Sequence, residues 1–562
     1  MIRRLKLLIL MLSVVGLIIP QTNESFQNGI VVSANNLASE IGVEIMKQGG
    51  NAIDAAVATG FALAVVYPRA GNLGGGGFMV VHLANGAEFS LDFRETAPLF
   101  AHEKMYQDSS GAVIKDLSLY THQAAAVPGT VDGLLRVFHD YGSGDISLQE
   151  ILTPSIKLAE NGFPISSHLA ESLNNKKSLF EQDNGSAALF IRHNGRPWST
   201  GQVLKQIDLA NTLKRIAKND RDGFYSGITA ELIKAEMQSN NGLITDLDLN
   251  QYSSIYRKPL RGTYKDFEIM TMGLPSSGGV ILIEMLNMLE TLGIDTLGWN
   301  SSDYVHRLTE VARRSYADRA EHLGDPDFWD VPVKMLVDKH YAISRTTSID
   351  LQKASKSTDI YAGEVQSESS ETTHYSIVDR EGNCVAVTTT LNTGFGSGMI
   401  VDGAGFLLNN QMDDFSTKPG VPNYYGLIGN KANAIQPGKR PLSSMTPTII
   451  FDNNTPFLII GTPGGSTIIN TVLQVFLNVA LHGMNVSDAV AAPRVHSQWF
   501  PDTIMKESES VSVSVESELR NMGHDIITHP WITFGSANGI LIGPDGYYGG
   551  ADPRSDNAAQ GY

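Results

Sequence analysis

A single cysteine, Cys384, stands in the whole sequence, so no intrachain disulfide can form and stability has to come from a packed core. Inside a strand pattern, a lone thiol is small packing filler. No CxxC, HExxH, P-loop lysine or GxSxG occurs, which leaves zinc, phosphate-loop and serine-elbow chemistries without support and calls for no metal and no cofactor. Positive charge is short as well: 42 Lys and Arg stand against 59 Asp and Glu, a formal net charge of −17. Nucleic acid needs a cationic footprint that such a chain does not offer. Internal repeats are missing. The amino-terminal apolar run, Leu7 to Ile19, has 13 residues and follows Arg3, Arg4 and Lys6. It is too short for a comfortable membrane span but right for the apolar core of a secretory signal. Residues 1–24 therefore read as a signal segment that exports the protein to the periplasm or the medium, with membrane contact through that segment alone. No tidy small-x-small cleavage site follows, which leaves an uncleaved anchor open.

What is present reads as a soluble globular protein, 42 % hydrophobic and 18 % charged. Its 562 residues make one large composite domain or two or three smaller ones. A first helix is expected from Asn36 to the Gly49-Gly50 break, and a second, apolar nearly all round, from Ala52 to Val66. Asn85-Gly86 between apolar runs signals a hairpin, and Phe89, Leu91 and Phe93 alternate with polar residues beyond it. The stretch from about 145 to 345 is mainly helical in pattern, with breaks such as "MGLPSSGGV", and residues 352–371 look like exposed chain. From Thr372 hairpins resume, and "GGSTIINTVLQVFLNVAL" opens a helix after a glycine turn. Local hairpins between helical blocks favour antiparallel sheet covered by helices.

The switch from "SESSE" into "TTHYSIVD" sets a pair of threonines at a strand's start. If the turn runs from Asp379 to Asn383, symmetric pairing puts Thr372 opposite Thr390, Tyr375 opposite Val387 and Ile377 opposite Val385. Thr372, His374, Thr388 and Thr390 then share the polar face. Threonines favour strands for their own reasons, but a cut before Thr372 would create an α-amine with a pKa near ~8 beside the hydroxyl it could deprotonate. Other segments supply what an acyl-transfer nucleophile needs. Gly464 and Gly465 offer uncovered backbone N–H groups at a helix start. "NNQMDDF" is dense in amides and carboxylates, "RPLSSM" carries Ser443 and Ser444, and Arg94 suits two-pronged carboxylate binding.

These segments together resemble the γ-glutamyltransferases (γ-glutamyltranspeptidases), N-terminal-nucleophile hydrolases, most of all the bacterial glutathione-processing members. The likeness runs from "LASEIG" near residue 37 to the carboxyl end. It rests on "GNLGGGGFM", "LDFRETAP", "TTHYSIVDREGNCVAVTTTLNTGFG", "LLNNQMDDFS", "KRPLSSMTPT" and "GTPGGS". "NNLAS" departs from the His-Pro that many members carry before "LAS".

The resemblance implies an α+β fold, a four-layer α-β-β-α sandwich, and an autoprocessing enzyme. Cleavage between Glu371 and Thr372 would give a large subunit, 25–371, and a small subunit, 372–562, forming one composite domain. Thr372 would then attack the γ-carbonyl of glutathione and related γ-glutamyl compounds, and water or an amino acid or dipeptide acceptor would take the γ-glutamyl group. Arg94 would grip the substrate α-carboxylate with Ser443 and Ser444, and Asn392, Gln411 and Asp414 would hold its α-amino group. Gly464 and Gly465 would form the oxyanion hole, Thr390 would hydrogen-bond Thr372, and Tyr425 would gate a lid spanning residues 416–441. Rival readings on the same fold are a secreted acylase of other side-chain amides, a poly-γ-glutamate transpeptidase, and a non-catalytic exported binding protein.

Overall fold

The computed structural model describes residues 25–361, 372–418, 420–421, 423–424, 426–427, 429–528 and 533–562. The expected signal segment, 1–24, the run ending in Glu371, and Tyr425 lie outside the described residues.

Strand formation begins where the alternation is clearest. Thr373–Asp379 pairs antiparallel with Cys384–Thr390, with Tyr375 opposite Val387 and Ile377 opposite Val385, the expected register. Tyr375, Ile377, Val385 and Val387 face one core, while Val378, Cys384 and Ala386 face another. The connecting turn is fixed by the buried Asp379 carboxylate. It accepts hydrogen bonds from Glu381 N, Asn383 N and Asn383 Nδ2. It also accepts one from Ala52 N at the start of the next layer's helix, at 2.8 Å.

This hairpin lies in a seven-stranded antiparallel sheet in the order Ala558–Gly561, Gly29–Ser33, Thr373–Asp379, Cys384–Thr390, Gly76–His82, Glu88–Phe93, Ile255–Arg257. A second seven-stranded antiparallel sheet runs Ser25–Phe26, Gly546–Ala551, Asn538–Gly543, Thr455–Gly461, Thr448–Asp452, Phe267–Thr271, Leu260–Tyr264. In both sheets, strands from before residue 372 flank strands from after it. The outer face of the first sheet packs on the helices Asn36–Lys47 and Ala52–Val66. Asn35 and Asn51 cap those helices, the latter in a reciprocal box with Asp54. The helices Gly278–Thr291, Ser302–His322 and Thr467–Ala480 join the core on the second sheet. The result is the helix-sheet-sheet-helix sandwich expected from the sequence.

The stretch from 145 to 345 is mainly helical, as expected, and also holds the strands Ile255–Arg257, at the edge of the first sheet, and Leu260–Tyr264 with Phe267–Thr271, the last two of the second. Their apolar alternation is weak, because the first two are only half-buried. One expectation needs correction: not all of 352–361 is exposed. Ser357 is buried, its Oγ donates to Trp499 O, and Trp499 Nε1 donates to Ser357 O at 3.0 Å and to Ile360 O at 3.2 Å.

The two sheets meet closely at His374. A Cβ added at Gly461 would lie 2.4 Å from the His374 ring, so only glycine lets the sheets approach there. Burial holds the imidazole down to about 3, which keeps it neutral. Its nitrogens bond to Thr388 Oγ1 at 2.8 Å and Ser376 Oγ at 3.0 Å. Gly461→Ala should lower unfolding stability by about 1–3 kcal/mol, because a rigid ring cannot give way, and urea denaturation of the variant checks this. Burial also depresses His496 to about 4 and His524 to about 3. The unfolded chain then binds protons that the folded chain refuses. Stability should therefore be full above the ordinary histidine value and fall as pH drops from about 6.5 toward 4. Unfolding curves at pH 7 and pH 5 measure the difference.

Candidate active site

A cavity opens where the start of the Thr373–Asp379 strand meets the helix Thr467–Ala480. Its lining includes Thr372, Thr390, Arg94, Asn392, Gln411, Asp414, Ser443, Ser444 and Gly465. These nine sequence-predicted residues come from five separate stretches of chain. Gly464 adjoins Gly465 without lining the cavity itself.

The strand register carries Thr372 to its position. It immediately precedes the strand Thr373–Asp379, and the continued pairing sets it across from Thr390. Both threonines are buried. Thr390 Oγ1 accepts from Asn392 N at 2.8 Å, and Asn392 takes a positive φ of 79°. Asn392 Nδ2 donates to Asn410 O at 2.9 Å. The loop after the strand is thereby fastened to the short 3-10 turn Gln411–Asp414.

Arg94 and Asp414 bring charge into the lining. Arg94, fully buried just past the strand Glu88–Phe93, gives Nη2 to Asp414 Oδ2 at 2.5 Å, Nη1 to Glu95 Oε2 at 3.4 Å and Nε to Pro441 O at 3.2 Å. Gln411 Nε2 donates to the same Asp414 oxygen at 2.6 Å, while Gln411 Oε1 is buried without a hydrogen-bond donor among the described residues. Burial raises the Asp414 carboxyl above its ordinary value, although Arg94 and Gln411 pull it down. Glu95 is pushed up to about 7 by burial, which Arg94 only partly offsets. Arg94 and Asp414, which the family resemblance assigns to opposite ends of a ligand, are here each other's partners.

A further part of the lining is hydroxyls and backbone. Ser443 N donates to Pro275 O, and Ser443 O accepts from both Ser277 N at 2.8 Å and Ser277 Oγ at 2.6 Å. "MGLPSSGGV", which reads in the sequence as a mere break, is thus the support of the serine pair. Gly464 and Gly465 have φ of 141° and 53°, and Thr467 N and Ile468 N turn back onto their carbonyls. A side chain at Gly464 would meet Thr467 Oγ1 at 2.4 Å. Within the expected lid, Tyr424 N donates to Asp413 Oδ2 at 2.8 Å and Asn423 Nδ2 to Asp414 Oδ1 at 3.4 Å, and Leu427 lines the cavity.

Sequence reasoning missed Arg319, a buried lining residue on the helix Ser302–His322. That helix also carries Arg307, Arg313 and Arg314, and nothing in the sequence separates the fourth arginine from the rest. Cys384 behaves as expected of filler, buried between the sheets with its thiol pushed up by burial. Two groups outside the cavity bring histidine near carboxylates: His306, Glu310 and His524, and His122, Asp183 and Glu236. In the first, Glu310 is already paired with Arg313 and Arg314. In the second, His122 Nε2 is bonded to Glu236 at 2.8 Å.

The cavity therefore joins a hydroxyl at a strand's start, backbone donors at a helix start, and a charged pair of both signs. That combination suits acyl transfer from a small zwitterionic ligand. A family model described as gamma-glutamyltranspeptidase matches residues 38–562. The chain is 45 % identical over 540 residues to a glutathione hydrolase proenzyme of Escherichia coli, covering 95 % of this chain and 92 % of that one. A cephalosporin acylase structure from Bacillus halodurans aligns with TM-score 0.83 at 26 % identity, covering 96 % of both chains. A gamma-glutamyltranspeptidase chain from Helicobacter pylori aligns with TM-score 0.58 at 44 % identity, covering 59 % of this chain and 94 % of that one.

Proposed function

The chain belongs to the gamma-glutamyltranspeptidase family and is a γ-glutamyltransferase and glutathione hydrolase made as a proenzyme, and from that premise we propose how its residues carry the reaction. The observation that supports the assignment is the convergence of Thr372, the Arg94–Asp414 pair, the serine pair and Gly465 on one cavity.

In the precursor, Thr372 Oγ1 attacks the carbonyl carbon of Glu371, the amide nitrogen departs as the α-amine of Thr372, and water hydrolyses the resulting ester. Two subunits result, 25–371 and 372–562. The new α-amine, with a pKa near ~8, takes the proton from its own residue's hydroxyl. Thr372 Oγ1 then attacks the γ-carbonyl of glutathione or another γ-glutamyl compound. The oxyanion is met by the N–H groups of Gly464 and Gly465. Collapse expels the amine portion, which leaves with the proton held on the α-amine, and a γ-glutamyl ester remains on Thr372. Water or the amine of an amino acid or dipeptide completes the transfer. Thr390 keeps the Thr372 hydroxyl oriented.

Selectivity comes from the zwitterionic head. Its carboxylate takes up Arg94, Ser443 and Ser444, while its ammonium takes up Asp414, Asn392 and Gln411, whose Oε1 has acceptor capacity to spare. The ligand thereby extends an existing ion pair into an alternating cluster of four charges. An acylase substrate without an α-amino acid head would leave that pair to itself and gain nothing from it, which disfavours the acylase reading. The segment around Tyr425 acts as the lid. Residues 1–24 direct export; among the described residues no helix is long and apolar enough to cross a membrane.

Intact-mass analysis of the purified protein should give a small fragment running from Thr372 to Tyr562, and Thr372→Ala should give one uncut, inactive chain. A wild-type protein that is active yet uncut would sink the assignment of Thr372. Arg94→Lys and Arg94→Ala should still be cut. Their KM for γ-glutamyl donors should rise roughly ten- to a hundredfold as charged hydrogen bonds are lost. Normal donor affinity in steady-state kinetics would show that the carboxylate is held elsewhere.

A further inference from the structure

Arg319 differs from the other arginines of its helix. Arg313 and Arg314 share Glu310, and Arg313 also reaches Asp502 at 2.8 Å. Arg307 is tied to Leu292 O. Arg319 is buried in the cavity wall and forms no ion pair with a carboxylate among the described residues. Its guanidinium instead gives Nε to Ser277 Oγ at 2.9 Å and Nη2 to Ser444 Oγ at 3.3 Å. Burial pulls it down only to about 10, so the group stays charged at neutral pH.

Hydrogen-bond polarity follows from these contacts. A guanidinium can only donate, so both serine oxygens must accept from it. The Ser277 hydroxyl hydrogen is then committed to Ser443 O, at 2.6 Å. Ser443 Oγ accepts from Met445 N at 3.1 Å. Ser443 and Ser444 each receive a fixed donor and keep their own hydrogen to give, and both line the cavity with Arg94. Arg94, by contrast, already faces two carboxylates, Asp414 and Glu95. The positive charge of Arg319, which acts on Asp414 at a distance but contacts no carboxylate among the described residues, sits one hydrogen bond behind Ser444.

We propose that Arg319 is a positioning residue for donor selection: it fixes the Ser444 hydroxyl as a hydrogen-bond donor and supplies a positive charge outside any ion pair, which favours ligands with a free α-carboxylate. The inference rests on the γ-glutamyl reading above and adds the residue that orients the serine pair. Ser277 transmits the same constraint to the main chain at Ser443.

The experiment compares two donors, a chromogenic γ-glutamyl anilide and the same compound with its α-carboxylate converted to the primary amide. The proteins are wild type, Arg319→Gln, Arg319→Lys and Ser444→Ala, each first checked for cutting by intact mass. Wild type should prefer the free acid. In Arg319→Gln, kcat/KM for the free acid should fall roughly tenfold or more, the loss of one charge-assisted hydrogen bond. The fall on the amide should be smaller, so the preference ratio drops. Arg319→Lys, which keeps the charge but not the two-pronged geometry, should recover part of that ratio. Ser444→Ala should lower it while keeping the buried arginine and its bond to Ser277 Oγ, which covers the case of Arg319→Gln failing to fold. Equal losses on both donors, or an unchanged ratio in Ser444→Ala and Arg319→Lys, would overturn the proposal. A wild type that turns over neither donor would instead overturn the γ-glutamyl reading on which it rests.

Discussion

One carboxylate, that of Asp379, holds the architecture in register. It closes the turn between the two central strands through Glu381 N and Asn383 N, and reaches across the layer boundary to Ala52 N. Side chains alternate along a strand, so a slip of one residue would exchange the two faces of the hairpin. Tyr375 and Ile377 would leave the helical core, and Thr372 would turn away from the cavity. The catalytic geometry at one end of the strand is thus fixed by a turn at the other, and the helix Ala52–Val66 is docked by the same group. Asp379 achieves this while almost wholly buried, and burial raises its carboxyl above the ordinary value.

The same tolerance of buried charge recurs in the site. Asp92 takes both Arg257 and Arg440, Asp552 takes both Arg494 and Arg554, and Arg94 takes both Glu95 and Asp414. Buried ions endure only when paired and hydrogen-bonded, and removing one partner costs more than the pair contributes. Such clusters hold loop segments that have little apolar surface of their own. Around the cavity this matters most, since its walls come from chain segments hundreds of residues apart. The glycines at 461, 464 and 465 work differently: they admit a close approach or a positive φ that a side chain would block.

Much of this was legible in the sequence. The helix Ala52–Val66 followed from being apolar nearly all round, and the pairing of Tyr375 with Val387 from symmetry about the turn 379–383. The cavity residues stood out as paired hydroxyls, paired glycines and an amide-carboxylate cluster, each of which a loop could also carry, and the family resemblance supplied their roles. What stayed hidden was either weakly patterned or dependent on distant partners. The strands Leu260–Tyr264 and Phe267–Thr271 are half-exposed toward one end and give poor alternation. Arg319 and Ser277 gain their meaning only from Ser443 and Ser444, more than a hundred residues further on. The anchoring of residues 357–360 by Trp499 is likewise invisible in one dimension.

The alternation of early and late strands within each sheet has a consequence for what a cut ahead of Thr372 can undo. Gly29–Ser33 lies hydrogen-bonded between Ala558–Gly561 on one side and Thr373–Asp379 on the other. Gly76–His82 pairs with Cys384–Thr390, and Phe267–Thr271 with Thr448–Asp452. Neither fragment of a severed chain owns a complete sheet, so each exposes raw strand edges on its own and depends on the other for its core. The two pieces would remain interlocked after cutting, but once unfolded they would have to find one another again. Recovery then becomes a bimolecular event that dilution penalises. The uncut chain refolds by a unimolecular route, so maturation would leave a protein whose endurance rests on slow unfolding rather than on ready return.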